Sequence, residues 1–423
     1  MKKRLPLALF PLALAASLAA GAAPLWTPPK PAALPRRKAA PSVTHKRIPT
    51  PTPVLTATPP PAWPMFKGDE QRSGRGPALG LPVTVAWRVK LKGSLYSSPA
   101  IADGRVVLGA SNKHVYGVDL ADGKLLWNAA LADRVWGSAP AIAEGRVLVG
   151  CVDGCVYGLS LQDGSPLGSY CAQRKNVMGE RPDVLSSPLV TNGRLVFGSD
   201  NHDIYGWDLA GKRSLWRFET QGILHDNSAA ACGGLLLFPS RDGKLYALGP
   251  DDGALRWSFN AGKPFNTVPA CDGQRVYVGN ADFRLHALDL ATGKELWSYK
   301  TGKGIMSSAA VDGAGAVVFG SADGNIYCLE AASGALRWKA ATEDAVLASP
   351  LITGGLVWIG SYDGKFRALS LDKGLEVYSL PLAGGIFTSA AVVGDRIVVA
   401  GRSGDLVCLQ ATVPAATAAV PGP

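Results

Sequence analysis

The sequence predicts an all-β fold: an eight-bladed β-propeller of four-stranded antiparallel blades, with the last blade closed by an N-terminal strand. Three observations predict it: a period of roughly 40 residues, short apolar runs separated by glycine turns, and a small-residue signature that occurs once per repeat. The glycine that opens the repeat recurs at Gly109, Gly150, Gly198, Gly279, Gly320, Gly360 and Gly401. The successive gaps are 41, 48, 81, 41, 40 and 41 residues, and Pro239 lies where the missing copy would fall.

Each repeat alternates short strands with tight turns. Runs such as VVLG at 106–109 are rich in β-branched residues, and pairs such as Asp103-Gly104 and Asp153-Gly154 separate them. These pairs favour hairpins because a tight turn needs positive φ, which glycine adopts without a clash. Three such turns connect four strands, which is typical of a propeller blade. A helical repeat would need long stretches with a 3.6-residue period, and the sequence has none.

The number of blades follows from the small-residue signature, which opens the innermost strand of each blade. The signature begins at eight positions: 97, 138, 186, 227, 267, 307, 348 and 388. The last repeat stops after its third strand at 406–410, so it lacks an outer strand. The early segment VAWRVKL, which contains Trp87, would supply that strand. The two ends of the chain would then share the last blade, and the ring would close without a free sheet edge there.

The chain is expected to contain four segments. These are a signal peptide at 1–23, a Pro-rich basic linker at 24–62, the propeller at 63–410 and a disordered tail at 411–423. Lys2, Lys3 and Arg4 precede an apolar run that ends in AGAA, which is the layout of a secretory signal. An uncleaved membrane anchor is the alternative. The segment predicts an exported protein, periplasmic or extracellular, and membrane-tethered if the signal is not cleaved.

The linker region carries most of the formal net charge of +10. Residues 1–62 contain nine Lys or Arg and no Asp or Glu, so the propeller itself is nearly neutral. The basic charge therefore gives no evidence for nucleic-acid binding. A weak contact of Arg36, Arg37 and Lys38 with anionic lipid or a cell-wall polymer is one interpretation, and a solvated linker is the other.

The chemistry-bearing residues favour a binding protein over an enzyme. The five histidines show no metal-ligand spacing and most aspartates lie in Asp-Gly turns, so no catalytic residue and no metal site are predicted. Cys151 and Cys155 flank a tight turn and could form a disulfide in an oxidising compartment. The other five cysteines are expected to fill core space. Because seven is odd, at least one thiol would stay free in a monomer.

The mouth of the central channel is the expected binding surface, because the connections between blades converge there. One connection, at 171–183, lengthens its repeat to 48 residues. Exposed aromatic and Met side chains beside arginine favour a protein-binding rim, although the apolar ones could instead plug the channel. The candidate rim residues are Trp136, Arg174, Lys175, Arg181, His225, Asp226, Phe265, Asn266, Met306 and Phe387.

Three motifs resemble the PQQ-like repeat propellers: the lead-in WPMFKGDEQRSG at 63–74, the Gly-Ser-x-Asp-Gly-x-x-Tyr-Ala-Leu rhythm of the blades, and the run from Asp289 to Trp297. That family includes the quinoprotein alcohol dehydrogenases and the non-enzymatic scaffold of the outer-membrane protein assembly complex. The resemblance implies that an aromatic residue on each outer strand packs between neighbouring blades. These residues would be Trp87, Trp127, Trp216, Trp257, Trp297 and Trp338, with Tyr170 and Tyr378 as substitutes.

The sequence therefore predicts an exported, monomeric, non-catalytic scaffold that binds a protein partner in the cell envelope, with no cofactor. One alternative is a minimal quinoprotein oxidoreductase that holds PQQ and Ca²⁺ in its channel; the other is a carbohydrate- or polymer-binding module. The chain lacks the adjacent cysteines and the CxxCH haem segment of many dehydrogenases that it resembles. It also lacks the lipid-attachment cysteine of the assembly scaffold.

Overall fold

The computed structural model describes residues 62–174, 182–224 and 228–412, which lie within one unit, Thr58–Pro423. These residues form 32 β-strands and no helix. The strand that precedes the repeats is β1 (Val83–Lys90). Blade 1 contains β2 (Ala100–Ala102), β3 (Arg105–Gly109), β4 (His114–Asp119) and β5 (Leu125–Ala130). Blade 2 contains β6 (Ala141–Ala143), β7 (Arg146–Gly150), β8 (Cys155–Ser160) and β9 (Pro166–Cys171).

The next three blades repeat this pattern. Blade 3 contains β10 (Leu189–Thr191), β11 (Arg194–Ser199), β12 (Asp203–Asp208) and β13 (Arg213–Glu219). Blade 4 contains β14 (Ala230–Cys232), β15 (Leu235–Pro239), β16 (Lys244–Leu248) and β17 (Leu255–Asn260). Blade 5 contains β18 (Ala270–Cys271), β19 (Arg275–Gly279), β20 (Arg284–Asp289) and β21 (Glu295–Lys300).

The last three blades complete the ring. Blade 6 contains β22 (Ala310–Val311), β23 (Ala316–Gly320), β24 (Asn325–Glu330) and β25 (Leu336–Ala341). Blade 7 contains β26 (Leu351–Thr353), β27 (Leu356–Gly360), β28 (Lys365–Ser370) and β29 (Glu376–Pro381). Blade 8 contains β30 (Ala391–Val393), β31 (Arg396–Ala400) and β32 (Asp405–Ala411).

Every blade is a four-stranded antiparallel sheet, and blades 1 to 7 are ordered from inside to outside as the chain runs. Blade 8 has the order β30-β31-β32-β1, with Val83 opposite Ala411 and Lys90 opposite Asp405. The predicted eight blades and their closure by an N-terminal strand are therefore confirmed. Within the described residues, no helix is long and apolar enough to cross a membrane.

The repeated glycine is explained by contact between neighbouring blades. A Cβ at Gly109 would lie 2.4 Å from Val135, and a Cβ at Gly320 would lie 2.3 Å from Val346. Real Cβ atoms do not approach other atoms so closely, so a side chain would push the next connection outward. The first residue of the small-residue signature completes this joint: Ser97 Oγ accepts the Gly109 N–H at 3.1 Å and donates to Ser138 O in blade 2 at 2.8 Å.

Six tryptophans each dock one blade on the next, as Trp127 illustrates. Its ring covers Gly164, where a Cβ would lie 2.6 Å from the ring, and its Nε1–H donates to Leu161 O at 3.1 Å. The equivalent donors and acceptors are Trp87 to Leu120, Trp216 to Pro250, Trp257 to Leu290, Trp297 to Ala331 and Trp338 to Leu371. Tyr170 occupies the same place in blade 2, and its hydroxyl donates to Leu209 O. Each of these seven joints thus combines a buried or half-buried aromatic ring with a hydrogen bond to the next blade.

Two faces follow from the strand order. The connections from an outer strand to the next inner strand, such as 131–139, lie on one face, which we call the mouth face. The first turn of each blade, such as 103–104, lies on the other, which we call the closed face.

Candidate functional site

The lead-in segment, residues 63–76, runs around the channel along the closed face. Trp63 exchanges two backbone hydrogen bonds with Ile101, each 2.8 Å long, and Gly76 N–H donates to Ile352 O at 2.9 Å. Between these ends, the lead-in carbonyls accept N–H groups from the inner strands of five blades: Pro64 from Ile142, Glu70 from Ala231, Gln71 from Cys271, Ser73 from Val311 and Gly74 from Ile352. The sequence predicted a lead-in but not this path, because its partners lie on separate blades far along the chain.

Two cations of the lead-in are buried in the channel. Arg72 donates to Ala229 O at 2.9 Å, to Phe66 O at 2.7 Å and to Pro188 O at 3.2 Å. Lys67 Nζ donates to the carbonyls of Ser308, at 3.3 Å, and Ala309. Backbone carbonyls therefore take the place of water around both charges.

Burial and a nearby carboxylate have opposite effects on the pKa values of these two cations. It lowers the pKa of Lys67 to about 7 and that of Arg72 to about 10, while Asp69 raises both pKa values in part. Arg72 thus remains charged at neutral pH, and Lys67 is close to its midpoint. The closed end of the channel is held by backbone bonds and by at least one buried positive charge.

A ring of serines surrounds the channel above the lead-in. They occupy the second position of the small-residue signature, and each hydroxyl oxygen accepts the N–H of the corresponding residue in the preceding blade at 2.7–3.2 Å. The pairs, donor first, are Ala139 to Ser187, Ser187 to Ser228, Val268 to Ser308, Ser308 to Ser349, Ser349 to Ser389 and Ser389 to Ser98. The two gaps fall at Ala139 and Val268, whose side chains have no hydroxyl. We call these six residues the serine ring.

The mouth of the channel lies above the serine ring. It is a pocket of about 100 Å³ whose floor is Phe66 of the lead-in. Its described lining consists of Phe66, Tyr96, Gly137, Arg241, Asn266, Val268, Met306, Leu347, Phe387 and the serine ring. The described part of the lining is therefore part apolar and part hydroxyl, with one cation and no carboxylate.

Aromatic and arginine side chains form a cluster at one edge of this mouth. The ring centroids of Tyr96 and Trp136 are 4.3 Å apart, and those of Tyr96 and Phe387 are 6.0 Å apart. The Cζ atom of Arg134 lies 5.5 Å from the ring centroid of Trp136, and that of Arg402 lies 5.8 Å from the ring centroid of Tyr96. Such stacking holds a guanidinium in place while leaving its edge accessible to a ligand. We call these five residues the aromatic–arginine cluster.

The predicted rim residues have different fates. Asn266, Met306 and Phe387 line the mouth pocket, and Trp136 belongs to the aromatic–arginine cluster. Arg174 is exposed but already paired, because its guanidinium lies 2.8 Å from Glu219 and 3.8 Å from Asp203. Lys175, Arg181, His225 and Asp226 lie outside the described residues.

Phe265 corrects one expectation, because its side chain is fully buried rather than exposed at the rim. It packs in the core between blades 4 and 5, with its ring centroid 6.2 Å from that of His286. Its position in a connection suggested exposure, but sequence order alone does not fix the direction of a side chain there. The mouth residues that the sequence reasoning missed are Arg134, Arg241 and Arg402, which line the pocket or lie over its aromatic rings.

The predicted Cys151–Cys155 disulfide is also corrected. Cys155 pairs with Cys171, directly opposite on the neighbouring strand, with their Cα atoms 4.0 Å apart. Cys151 is a buried thiol whose Sγ lies 3.2 Å from Asp133 O. The short spacing in sequence was misleading, because cross-strand register places Cys155 beside β9.

A second disulfide joins the inner strands of blades 4 and 5, between Cys232 and Cys271. Three of the cysteines expected only to fill core space are therefore bonded. The three remaining thiols are buried, and burial raises the pKa of Cys151 and Cys328 to about 12 and that of Cys408 to about 11. Thiolates are the reactive form, so these three thiols are inert at neutral pH.

A larger depression of about 420 Å³ lies on the closed face, lined in part by Asp69, Glu70, Thr191 and Asn192. Its acidic groups already have partners within the protein. Ser73 Oγ and N–H both donate to the Asp69 carboxylate, and Thr191 Oγ1 donates to Glu70 at 2.8 Å.

The described channel residues do not fit a PQQ–Ca²⁺ pair. Ca²⁺ takes about six to eight oxygen ligands, commonly including carboxylates, and the described mouth lining contains no carboxylate. Cofactor pockets usually have volumes of about 300–1,000 Å³, larger than the mouth. In the part of the chain that the structure describes, no group of three or more His, Cys, Asp or Glu residues is arranged to hold a metal ion.

Comparisons with known proteins agree with this architecture. A family model described as "Beta-alanine-activating enzyme, beta-propeller" matches residues 105–411. BamB from Moraxella catarrhalis is 17% identical, with a TM-score of 0.66 over 78% of this chain and 98% of that chain. A quinohemoprotein alcohol dehydrogenase from Comamonas testosteroni is 14% identical, with a TM-score of 0.71 over 83% of this chain and 80% of that chain.

A europium-containing methanol dehydrogenase is also similar, at 14% identity and a TM-score of 0.69 over 83% of this chain and 98% of that chain. No curated protein matches the sequence significantly. At these identities the likeness to solved structures shows the fold alone. It confirms the suspected resemblance to PQQ-like propellers and does not choose between their activities.

Proposed function

This chain belongs to the family whose model is described as "Beta-alanine-activating enzyme, beta-propeller". We propose that it serves as an exported, non-catalytic scaffold that binds a protein partner in the cell envelope. The fold itself hosts many functions, so the proposal rests on the mouth. The resemblance of the repeats to an assembly-complex scaffold agrees with a protein partner, whereas the likeness to BamB adds support for the fold alone.

The observation that carries the proposal is the aromatic–arginine cluster. Trp136 in this cluster and Met306 in the mouth lining expose 36% and 45% of their surfaces, although large apolar side chains are normally buried. Exposed aromatic residues beside arginine are typical of the centres of protein interfaces. Because the cluster borders a recess, a side chain of the partner can be anchored next to it.

Export is supported by the two disulfides, Cys155–Cys171 and Cys232–Cys271, together with the signal-like N-terminal sequence. Structural disulfides persist in oxidising compartments and are rare in reducing ones. Contact of the basic linker with a membrane or cell wall concerns residues outside the described ranges and stays a prediction.

A non-catalytic role is supported by the interior of the channel. Phe66, Lys67 and Arg72 occupy the space in which a ligand could otherwise pass through the propeller. The buried thiols are held in the protonated form. Three aspartates of the second turns, Asp153, Asp242 and Asp323, accept hydrogen bonds from tyrosine hydroxyls, as Asp323 does from Tyr327 at 2.7 Å. None of these groups belongs to the described lining of the mouth.

Affinity capture from an envelope extract tests the proposal. The bait is the full chain, compared with Trp136→Ala/Phe387→Ala at the mouth and Leu296→Ala/Leu336→Ala on the exposed outer strands. We expect the mouth variant to lose the proteins captured by the wild type, whereas the outer-strand variant retains them. Equal capture by all three baits would contradict binding at the mouth.

A further inference from the structure

We propose that the mouth recognises a carboxylate of the partner, which inserts into the pocket and accepts hydrogen bonds from the serine ring. This inference rests on the proposed function and specifies the chemistry of the binding partner. It follows from three features of the mouth: unused hydroxyl donors, local positive charge, and the size and polarity of the pocket.

The hydroxyl protons of the serine ring are unused within the described protein. The six serines are between 2 and 7% exposed, and all six line the pocket. Each hydroxyl oxygen accepts one backbone N–H, yet no hydroxyl in the ring donates to an acceptor among the described residues. Because these hydroxyls line the pocket, their protons are available to a ligand that supplies acceptor atoms.

Positive charge surrounds these donors. Arg241 lines the pocket, and Arg134 and Arg402 lie on the aromatic rings at its edge. Below the floor, Arg72 is buried and its Cζ lies 5.9 Å from the centroid of the Phe66 ring. With no carboxylate in the described lining, this recess favours an anion, and its low-dielectric walls strengthen the attraction.

The dimensions and walls of the pocket favour a carboxylate on a peptide over a sugar or a whole cofactor. Its volume of about 100 Å³ admits one side chain or a chain terminus. Sugar hydroxyls need acceptors as well as donors, whereas the side chains here mainly donate. Met306, Leu347 and Phe387 offer apolar contact to the methylene groups or the neighbouring residue of an inserted peptide.

Fluorescence anisotropy with synthetic peptides tests this inference. The probe is a rhodamine-labelled peptide with a central Glu-Phe-Glu and an amidated C-terminus. A Gln-Phe-Gln peptide is the neutral control, and the neutral peptide with a free C-terminus tests terminal recognition. We expect either carboxylate peptide to bind at least about tenfold more tightly than the neutral one, with an affinity that falls as salt rises.

Variants of the mouth then assign the binding to its residues. Ser308→Ala/Ser349→Ala and Arg241→Gln should each lower the affinity for the carboxylate peptide about tenfold and leave the affinity for the neutral peptide nearly unchanged. Ser379→Ala on the outer strand β29 and Arg213→Gln at the exposed start of β13 are matched controls. The serine variant is expected to fold, because Ala139 and Val268 already occupy two ring positions; if it does not, Arg241→Gln alone decides the outcome.

Three results would overturn the inference: equal affinity for charged and neutral peptides, binding that the mouth variants do not change, or no binding up to about 1 mM peptide. Binding of a neutral oligosaccharide that depends on the serine ring would favour the polymer-binding alternative. Mouth-dependent capture of partners without carboxylate selectivity would preserve the proposed function and reject this inference. If carboxylate binding depends on the serine ring but partner capture does not depend on the mouth, this inference stands and binding of the partner at the mouth is rejected.

Discussion

The two ends of the central channel use the same inner strands in different ways. At the closed face, inner-strand N–H groups donate to the lead-in, and carbonyls such as Ala229 O accept from Arg72. At the mouth, the serine hydroxyls accept hydrogen bonds but leave their own protons without a described acceptor. Satisfied polar groups mark the end that stabilises the ring, and unused ones mark the end that is available to a ligand.

The largest expected effect comes from removing the segment that both closes the channel and supplies β1. Deleting residues 63–92 would expose the edge of β32 and the inner strands, so we expect aggregation or a large loss of thermal stability. Deleting 24–57 is the matched control and should leave the melting temperature unchanged. A monomeric 63–92 deletion with wild-type melting would refute both the shared blade and the closing role.

A smaller effect separates the joints between blades from the outer surface. Trp127 is 8% exposed and docks on blade 2, whereas the adjacent Leu126 is 41% exposed. Trp127→Ala should lower the free energy of unfolding by about 3–5 kcal/mol, and Leu126→Ala by about 0.5 kcal/mol or less. Denaturant unfolding of both variants checks this, and similar losses would mean that the aromatic ring does not dock the blades.

The buried amine at the closed end predicts a pH dependence of stability. Burial lowers the pKa of Lys67 from 10.5 to about 7, so between these values the unfolded chain holds a proton that the folded chain lacks. Stability should therefore rise with pH through this window, by up to about 1.4 kcal/mol per pH unit, and this contribution should be absent from Lys67→Met. Unfolding free energies from pH 6 to 9.5 test it; parallel curves for the two proteins would contradict the buried-amine assignment.

The smallest effects concern the serine ring. Ser349→Ala removes the acceptor of the Ser308 N–H and should cost about 1 kcal/mol. Ala139→Ser would instead give the Ser98 N–H an acceptor at a gap in the ring and should stabilise the protein by about 0.5–1 kcal/mol. Chemical denaturation of both variants measures the difference. If neither variant changes the free energy of unfolding, the hydrogen bonds of the serine ring contribute nothing to stability.

The regular features of the fold were predictable from the sequence, because period and turn chemistry repeat. Gly109 and its counterparts marked the blades, and Trp87 marked the closing strand. Irregular features were not predictable: the path of 63–76 depends on partners in separate blades, and Cys155 pairs with Cys171 through strand register. The small-residue signature was visible, but its hydrogen-bonded ring required the inner strands to be placed side by side.

Hydrogen–deuterium exchange with the Glu-Phe-Glu peptide tests most directly that binding occurs at the mouth and that the closed end is structural. The account predicts slower amide exchange in the mouth-face connections 91–98, 131–139 and 382–389 when the peptide is bound. The inner-strand amides that donate to the lead-in carbonyls should exchange slowly and equally in both states; they belong to Ile142, Ala231, Cys271, Val311 and Ile352. Peptide-dependent protection on the closed face, with none in the mouth-face connections, would contradict the account.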